Sequence, residues 1–459
     1  MKRRVGHSLA LAGALLAGSE VTIAFAQEED RGGTTLTFGL ASTVNISDNF
    51  NLEVDAPGTS TILDNEFTFG LLSETRTERL SFDLGAVLRF ADIPGAGSDI
   101  SVDDPSAAFA YSRDWANSRL SLSADYNQAD LDFLDPFELV DDFDDIDLVT
   151  DTGTRKTSAA RLTFETGLND PFGVELDLQH DDVDYVDTTD PELFDNRTDE
   201  ASLTGKFRFS PVLEGRVTAA LENYTADDAI DTDRTSTRLS FGATYEVSPV
   251  LTVDAELGTE KIDEDSLGTS DRGTFGAVEV TQTLANGTAG LLLERTFGIE
   301  GGRTSLSVSR DMELPGGTLG FSLGATRGEL GSTELLAGLD YSRALPRGTV
   351  TAELDRSVVS NDAGNDVLTT RAALGLDLNL APLSTVSFGL DYAETEDAGA
   401  GTTSRSDRTG LRAEYSHELT PDWDLTTGYE HTRLFTEGTG TATSNTVFLT
   451  LERVFTLRP

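Results

Sequence analysis

Runs of about ten residues in which every second side chain is apolar recur along nearly the whole chain, and nothing else in it limits the fold so strongly. Leu36, Phe38 and Leu40 alternate with Thr35, Thr37 and Gly39; Leu80, Phe82, Leu84, Ala86, Leu88 and Phe90 alternate with Arg79, Ser81, Asp83, Gly85, Val87 and Arg89. The division returns in Leu239, Phe241, Ala243 and Tyr245, in Leu374, Leu376, Leu378 and Leu380, and in Leu411, Ala413 and Tyr415. A period of two belongs to a strand with one oily face and one wet face. The wet set carries charges that cost about 2–4 kcal/mol each against acyl chains near a bilayer midplane, so it must face water. A slip of one residue would exchange the faces, so the pattern fixes register as well as element type.

The runs are punctuated by Pro171, Pro211, Pro249, Pro315, Pro346, Pro382 and Pro421, each in a short turn-like string such as NDPFG, LPGG or TPDW. They fall about 31 to 40 residues apart, and the one wide gap holds the turn dipeptide Asn286-Gly287. That interval accommodates two strands, a tight turn and a longer loop, the rhythm of a transmembrane barrel. Counting runs gives about 22 strands, an even number as single-chain bacterial barrels require. Only residues 273–297 leave parity open, because Val278, Val280, Leu284, Leu291, Leu292 and Leu293 do not share one. The tight turns are assigned to the periplasm, and longer loops at 47–61, 91–104, 128–156, 181–199 and 393–408 to the outside. A β-propeller would bury both faces of its inner strands, and a calcium-binding solenoid would need a Gly-Gly-x-Gly-x-Asp repeat that is missing. The expected fold is therefore all-β, an antiparallel up-and-down transmembrane barrel.

Lys2, Arg3 and Arg4 precede an apolar stretch from Leu9 to Ala17, and Ala24-Phe25-Ala26 forms a small-x-small cleavage site. Residues 1–26 read as a secretory signal, 27–33 as a short periplasmic segment, 34–455 as the barrel and 456–459 as a tail. The chain has no cysteine, so stability must come from sheet closure and packing rather than disulfides. No later stretch approaches the roughly eighteen apolar residues of a spanning helix.

Near the end, Val447, Leu449, Leu451 and Phe455 alternate with Thr446, Phe448, Thr450, Glu452 and Val454. This resembles the terminal strand signal of bacterial outer-membrane proteins, which implies recognition by the β-barrel assembly machinery. The departures are Thr456, Leu457, Arg458 and Pro459 beyond the aromatic, and Arg453, which interrupts the apolar parity. Across the mature chain the sequence resembles the broad group of β-barrel porins of Gram-negative bacteria. The resemblance implies an outer-membrane location, with lipid and lipopolysaccharide as partners.

Eighty acidic against 34 basic residues give a net charge of −46, which excludes nucleic acid as a partner and disfavours anionic solutes. Residues 128–151 are acidic without Lys or Arg, yet interleave Leu131, Phe133, Phe137, Leu139, Val140, Phe143 and Ile146. They read either as a solvated outer loop, bridged by divalent cations to lipopolysaccharide, or as a constriction tucked into the lumen. Asp141, Asp142, Asp144, Asp145 and Asp147 offer oxygen ligands for a hard cation such as calcium, although their spacing matches no EF-hand. No other cofactor is implied.

About 22 strands tilted by about 45° enclose a cylinder roughly 45 to 50 Å across. Only about seven residues separate the cleavage site from the first strand, so loops or a flattened section are expected to narrow it. Charged residues expected on the inner wall are Arg161, Lys206, Arg208, Arg216, Arg238, Arg371 and Arg412, with Asp254, Glu256, Glu353, Asp355, Asp377, Asp391, Glu414, Glu430 and Glu452. They either neutralise one another across neighbouring strands or leave carboxylates that favour cations. Two functions follow: a porin-like channel for passive diffusion of small hydrophilic solutes, with a cation preference, or a structural or surface-interaction barrel, adhesin-like or associated with polysaccharide export, without an open pore. Catalysis is not expected. His180, His417 and His431 all continue apolar parities near strand ends, where amphipathic rings form an interfacial girdle.

Overall fold

The protein is described here from a computed structural model, which covers residues 32–95, 97–133, 153–191, 193–299, 301–329, 333–360, 366–397 and 405–458. The expected secretory signal lies outside the described residues. The strands are β1 (Gly33–Ser47), β2 (Ser60–Glu74), β3 (Glu78–Ile93), β4 (Gly97–Asp114), β5 (Ser118–Asp130), β6 (Thr154–Thr166) and β7 (Phe172–Val186). They continue with β8 (Asn196–Ser210), β9 (Leu213–Ala226), β10 (Thr232–Ser248), β11 (Leu251–Glu264), β12 (Thr269–Leu284), β13 (Gly287–Gly298) and β14 (Gly301–Leu314). The wall is completed by β15 (Gly317–Gly328), β16 (Thr333–Leu345), β17 (Gly348–Ser360), β18 (Asp366–Ala381), β19 (Ser384–Asp397), β20 (Arg405–Thr420), β21 (Trp423–Thr436) and β22 (Gly440–Leu457).

Each strand pairs antiparallel with its sequence neighbours, and β22 returns to β1 in register from Leu36 opposite Leu457 to Ser47 opposite Thr446. The result is a closed 22-stranded barrel with no free edge. Closure is what a hydrocarbon environment demands, because an unpaired backbone group there costs several kcal/mol. The ladder reaches Leu457, so the strand is longer than the apolar-aromatic signal suggests. Thr456 and Leu457 continue the alternation, and only the residues after them leave the sheet.

Every expected proline turn joins an even strand to the next odd one: Pro171 lies between β6 and β7, Pro211 between β8 and β9, Pro249 between β10 and β11. At the β14–β15 turn Gly316 has φ +81°, which a side chain would strain, and it follows Pro315 directly. The opposite end carries the longer connections at 48–59, 131–153, 187–195 and 398–404. Two loops are shorter than expected. Residues 91–104 mostly belong to β3 and β4, because a bulge between the Gly85–Ser106 and Val87–Asp103 pairs absorbs Asp104 and Pro105, with Asp104 at φ +50°. Strands β7 and β8 likewise extend to Val186 and from Asn196.

The outward face is the oily one: Phe38, Leu84, Phe241, Leu257, Leu323, Leu374 and Val447 are all exposed. Residues 273–297 resolve to a single parity, with Val278, Leu291 and Leu293 outward. Leu292 faces inward opposite Glu279, and Phe275 inward opposite Gly258. Toward the longer loops the outward register turns polar, from Leu178 to His180 and Asp182, and from Leu257 to Thr259 and Lys261, so the strands project beyond the hydrocarbon. His180 pairs with Asp199 (2.7 Å) and His431 with Asn445 (2.9 Å) at that boundary, while His417 stacks on Tyr415 at the other. Arg453 fits the girdle too: its guanidinium lies over Phe455 (4.2 Å) and Trp423 (5.3 Å) and reaches Asp422 (3.5 Å).

The two faces should respond differently to the same substitution. In urea titrations of vesicle-embedded protein, Leu323→Lys, on the lipid face, is expected to cost about 2–4 kcal/mol. The neighbouring Ser322→Lys, on the inner face, should stay within about 0.5 kcal/mol. Equal losses at both positions would contradict the assigned parity.

Candidate functional site: the inner wall and its mouth

The inner face divides into two arcs of different electrostatics. From β6 to β11 the positive charges expected on the wall are paired with carboxylates. Arg161 meets Asp177 (3.1 Å), and Lys206 bridges Glu165 (2.8 Å) and Glu175 (2.6 Å). Arg208 binds Glu214 (2.9 Å) and donates to the Gly167 and Asp170 carbonyls near the β6–β7 turn. Arg216 reaches both Asp254 (2.7 Å) and Glu256 (2.9 Å), and the hydroxyl of Thr244 also donates to Asp254. Arg238 sits between Glu260 (2.8 Å) and Glu222 (3.7 Å). These partners stand on adjacent or next-adjacent strands, so sheet register alone brings them together. On β20 and β21, Arg412 contacts Glu414 (3.0 Å) and Glu430 (4.0 Å) and lies over the buried Phe448 ring at 4.7 Å.

The second arc is acidic. Asp311 of β14 lies opposite Gly320, which lies opposite Asp340, which lies opposite Glu353. The same row continues through Ala373 to Asp391 and Gly410. Its four carboxylates therefore share one line perpendicular to the strands, on the face opposite the exposed Phe321, Leu374, Phe388 and Leu390. Among the described residues no cation lies within ion-pair distance of any of them, although Asp311 accepts a hydrogen bond from Thr288 (3.0 Å). The glycines keep the row open: a Cβ at Gly410 would lie 2.3 Å from an Asp391 oxygen, and one at Gly320 would lie 3.0 Å from Asp311. Like charges held side by side with no counter-charge disfavour the empty wall and favour a cation that enters it.

Glu353 and Asp391 were legible as wall residues from parity, whereas Asp311 and Asp340 emerge only when strand register is known. Asp355 and Asp377 lie near this arc, whereas Glu452 is on β22. Asp355 accepts from Ser357 (2.8 Å) and lies opposite Arg371, and Asp377 accepts from Ser387 (2.6 Å). Glu452 lies opposite Ala41 and Asp424, with Glu66 on the far side of Ala41. Asp141, Asp142, Asp144, Asp145 and Asp147 lie outside the described residues. Among the described residues no group of three or more His, Cys, Asp or Glu is arranged to hold a metal ion.

Burial concentrates at the end with the longer loops. Ile62, Tyr224, Ile262, Val367, Leu434 and Ala442, all near those strand ends, are buried. Leu131, Tyr185 and Leu193 form an apolar cluster where the connections after β5 and β7 meet the wall. Beside it, Arg89 is held by Asp64 (2.8 Å), Asp104 (2.9 Å) and Asp103 (3.5 Å), with the Phe133 ring 3.9 Å from its guanidinium carbon. The β4 bulge makes this possible, since it aims two consecutive aspartates at one arginine. At the β1–β22 seam, Asp48 accepts from the Asn445 backbone N–H and side-chain amide, both at 2.7 Å, which holds its carboxyl below the usual range.

No protein-family model and no curated protein matches the chain. Solved structures do. A ferric enterobactin receptor, PfeA, from Pseudomonas aeruginosa superposes with a TM-score of 0.58 at 10% identity, covering 93% of this chain and 81% of the receptor. A siderophore receptor, PirA, from Acinetobacter baumannii gives 0.56 at 9% identity, covering 93% and 81%. A copper transporter, OprC, gives 0.54 at 12%, covering 93% and 82%. At these identities the likeness establishes the fold: an outer-membrane β-barrel of 22 strands. The expectation of a porin-like channel for passive diffusion is thereby corrected, because the barrels that share this wall are receptors and a transporter of particular ligands. The alternative of a structural, adhesin-like or polysaccharide-export barrel fits these neighbours no better. Alternating parity encodes a wall in lipid and is the same for every such barrel, so it could not separate these functions. The neighbours are not enzymes, in agreement with the non-catalytic reading of the sequence.

Removing Arg89 would leave three carboxylates facing one another at the mouth. Arg89→Met is expected to destabilise the protein by about 3–5 kcal/mol in urea titration. Adding Asp64→Asn should recover part of that loss, and no recovery would mean that the cluster is not held by charge.

Proposed function

We propose that the chain is the barrel of an outer-membrane uptake receptor for a cationic, metal-bearing ligand. The ligand enters at the end with the longer loops and is received by the acidic arc of the inner wall. The observation that carries this reading is the unneutralised row of Asp311, Asp340, Glu353 and Asp391 inside a 22-stranded wall. The net charge of −46 draws cations toward the barrel from a distance. Similar barrels are named for ferric enterobactin, siderophores and copper, which suggests a metal or its complex as the cargo class. Four carboxylates spread along five strand-to-strand steps of about 4.8 Å suit a hydrated or chelated cation better than a bare ion held in one cage.

The test is calorimetric titration of purified protein with a cationic copper chelate and with an anionic chelate of similar size. Saturable binding of the cationic form is expected, weakening as salt is raised. Each wall charge in a wet site contributes about 1 kcal/mol, so Asp340→Asn with Glu353→Gln should lower affinity about tenfold or more. Unchanged affinity in that variant, or preference for the anionic chelate, would refute the proposal.

A further inference from the structure

On the outer surface the charge logic of this protein reverses along a row that spans β13 to β15. Arg295 of β13 lies directly opposite Thr304 of β14, which lies directly opposite Arg327 of β15. All three share the outward parity of Leu293, Leu306 and Leu323 and form the first polar row beyond the apolar belt on the side of the longer loops. Both arginines are exposed. Several other outward cations on this rim are neutralised: Arg197 by Asp182 (2.9 Å), Lys261 by Asp263 (2.5 Å), Arg433 by Asp407 (2.8 Å). Among the described residues, neither Arg295 nor Arg327 has a carboxylate within ion-pair distance, and Arg295 has only the Thr304 hydroxyl at 3.4 Å. The nearby Glu329 is turned to the Gly302 backbone N–H (3.0 Å). In a chain with more than twice as many acidic as basic residues, two unclaimed guanidiniums side by side call for an anion from outside.

The surroundings say which kind. Directly below the row, the exposed side chains of Leu293, Leu306, Leu323 and Leu335 continue into the belt that meets acyl chains. Above it, β13 ends at Gly298 and β14 begins at Gly301, so only a two-residue connection joins these strands. Gly302 has no side chain, which leaves room for the Arg295 guanidinium lying over it. The two Cα atoms are two strand spacings apart, about 10 Å, so the side chains can converge on one phosphate or grip two. Guanidinium pairs with phosphate through parallel N–H···O bonds, and its weak hydration suits an interfacial site.

We propose that Arg295, Thr304 and Arg327 form a binding site for the phosphorylated headgroup of an outer-leaflet lipid whose acyl chains lie on Leu293, Leu306, Leu323 and Leu335. The amphiphile spans the boundary as the residues do, with phosphate on the arginine row and hydrocarbon on the leucines.

Native mass spectrometry of the detergent-purified full chain tests this with bisphosphorylated lipid A, the same glycolipid with its phosphates removed, and inorganic phosphate as competitor. Wild-type protein should retain lipid A, and R295Q/R327Q should retain about tenfold less. Arg343→Gln, an outward cation at the opposite end of β16, should change nothing. If the double variant fails to show the heat-modifiable migration of a folded barrel, R295Q and R327Q are measured singly, each with a loss of about threefold expected. Undiminished retention in the folded variants overturns the proposal. So does equal retention of the dephosphorylated glycolipid, or displacement of lipid A by inorganic phosphate at equal concentration, which would mark a free-anion site.

Discussion

Every feature of this molecule depends on the closure of one hydrogen-bonded ladder. In hydrocarbon no water is present to satisfy a backbone N–H or C=O, so an open sheet of this length could not remain in a membrane. The pairing of β1 with β22 removes the last edge, and once the ladder is closed each side chain is assigned to lipid or to the interior by parity alone. The Asp48–Asn445 clasp reinforces this seam at the end with the longer loops.

Parity was the part of the fold that the residues declared most openly. Leu80 through Phe90 against Arg79 through Arg89 admits one orientation, and the proline turns set the spacing of the hairpins. What stayed hidden were local departures whose cause is not periodic. The Asp104–Pro105 bulge after Asp103 looked like a loop because proline and two aspartates commonly mark one, yet it serves to change the parity of β4 and deliver both acids to Arg89. Leu292 and Phe275 blurred their strands because they are apolar residues on the inner face. The glycine opposite Phe275 gives that ring its space.

The candidate site was legible one residue at a time and illegible as an arrangement. A sequence marks Glu353 and Asp391 as inner-wall residues. It does not reveal that they share a row with Asp311 and Asp340, because that depends on the register of hairpins far apart in the chain. The same register explains why Arg216 meets Asp254 and Glu256 while the acidic row meets no cation. Function was further from reach, since lipid-facing alternation is common to barrels that differ in what fills or enters them.

Strands in a closed barrel tilt relative to its axis, so a line perpendicular to them winds as a helix and not as a level ring. The row from Asp311 to Asp391 therefore stands as a staircase, each carboxylate at its own depth. A cation handed from one step to the next would descend only by circling the wall, so travel along this row would be coupled to rotation by the geometry of the sheet itself.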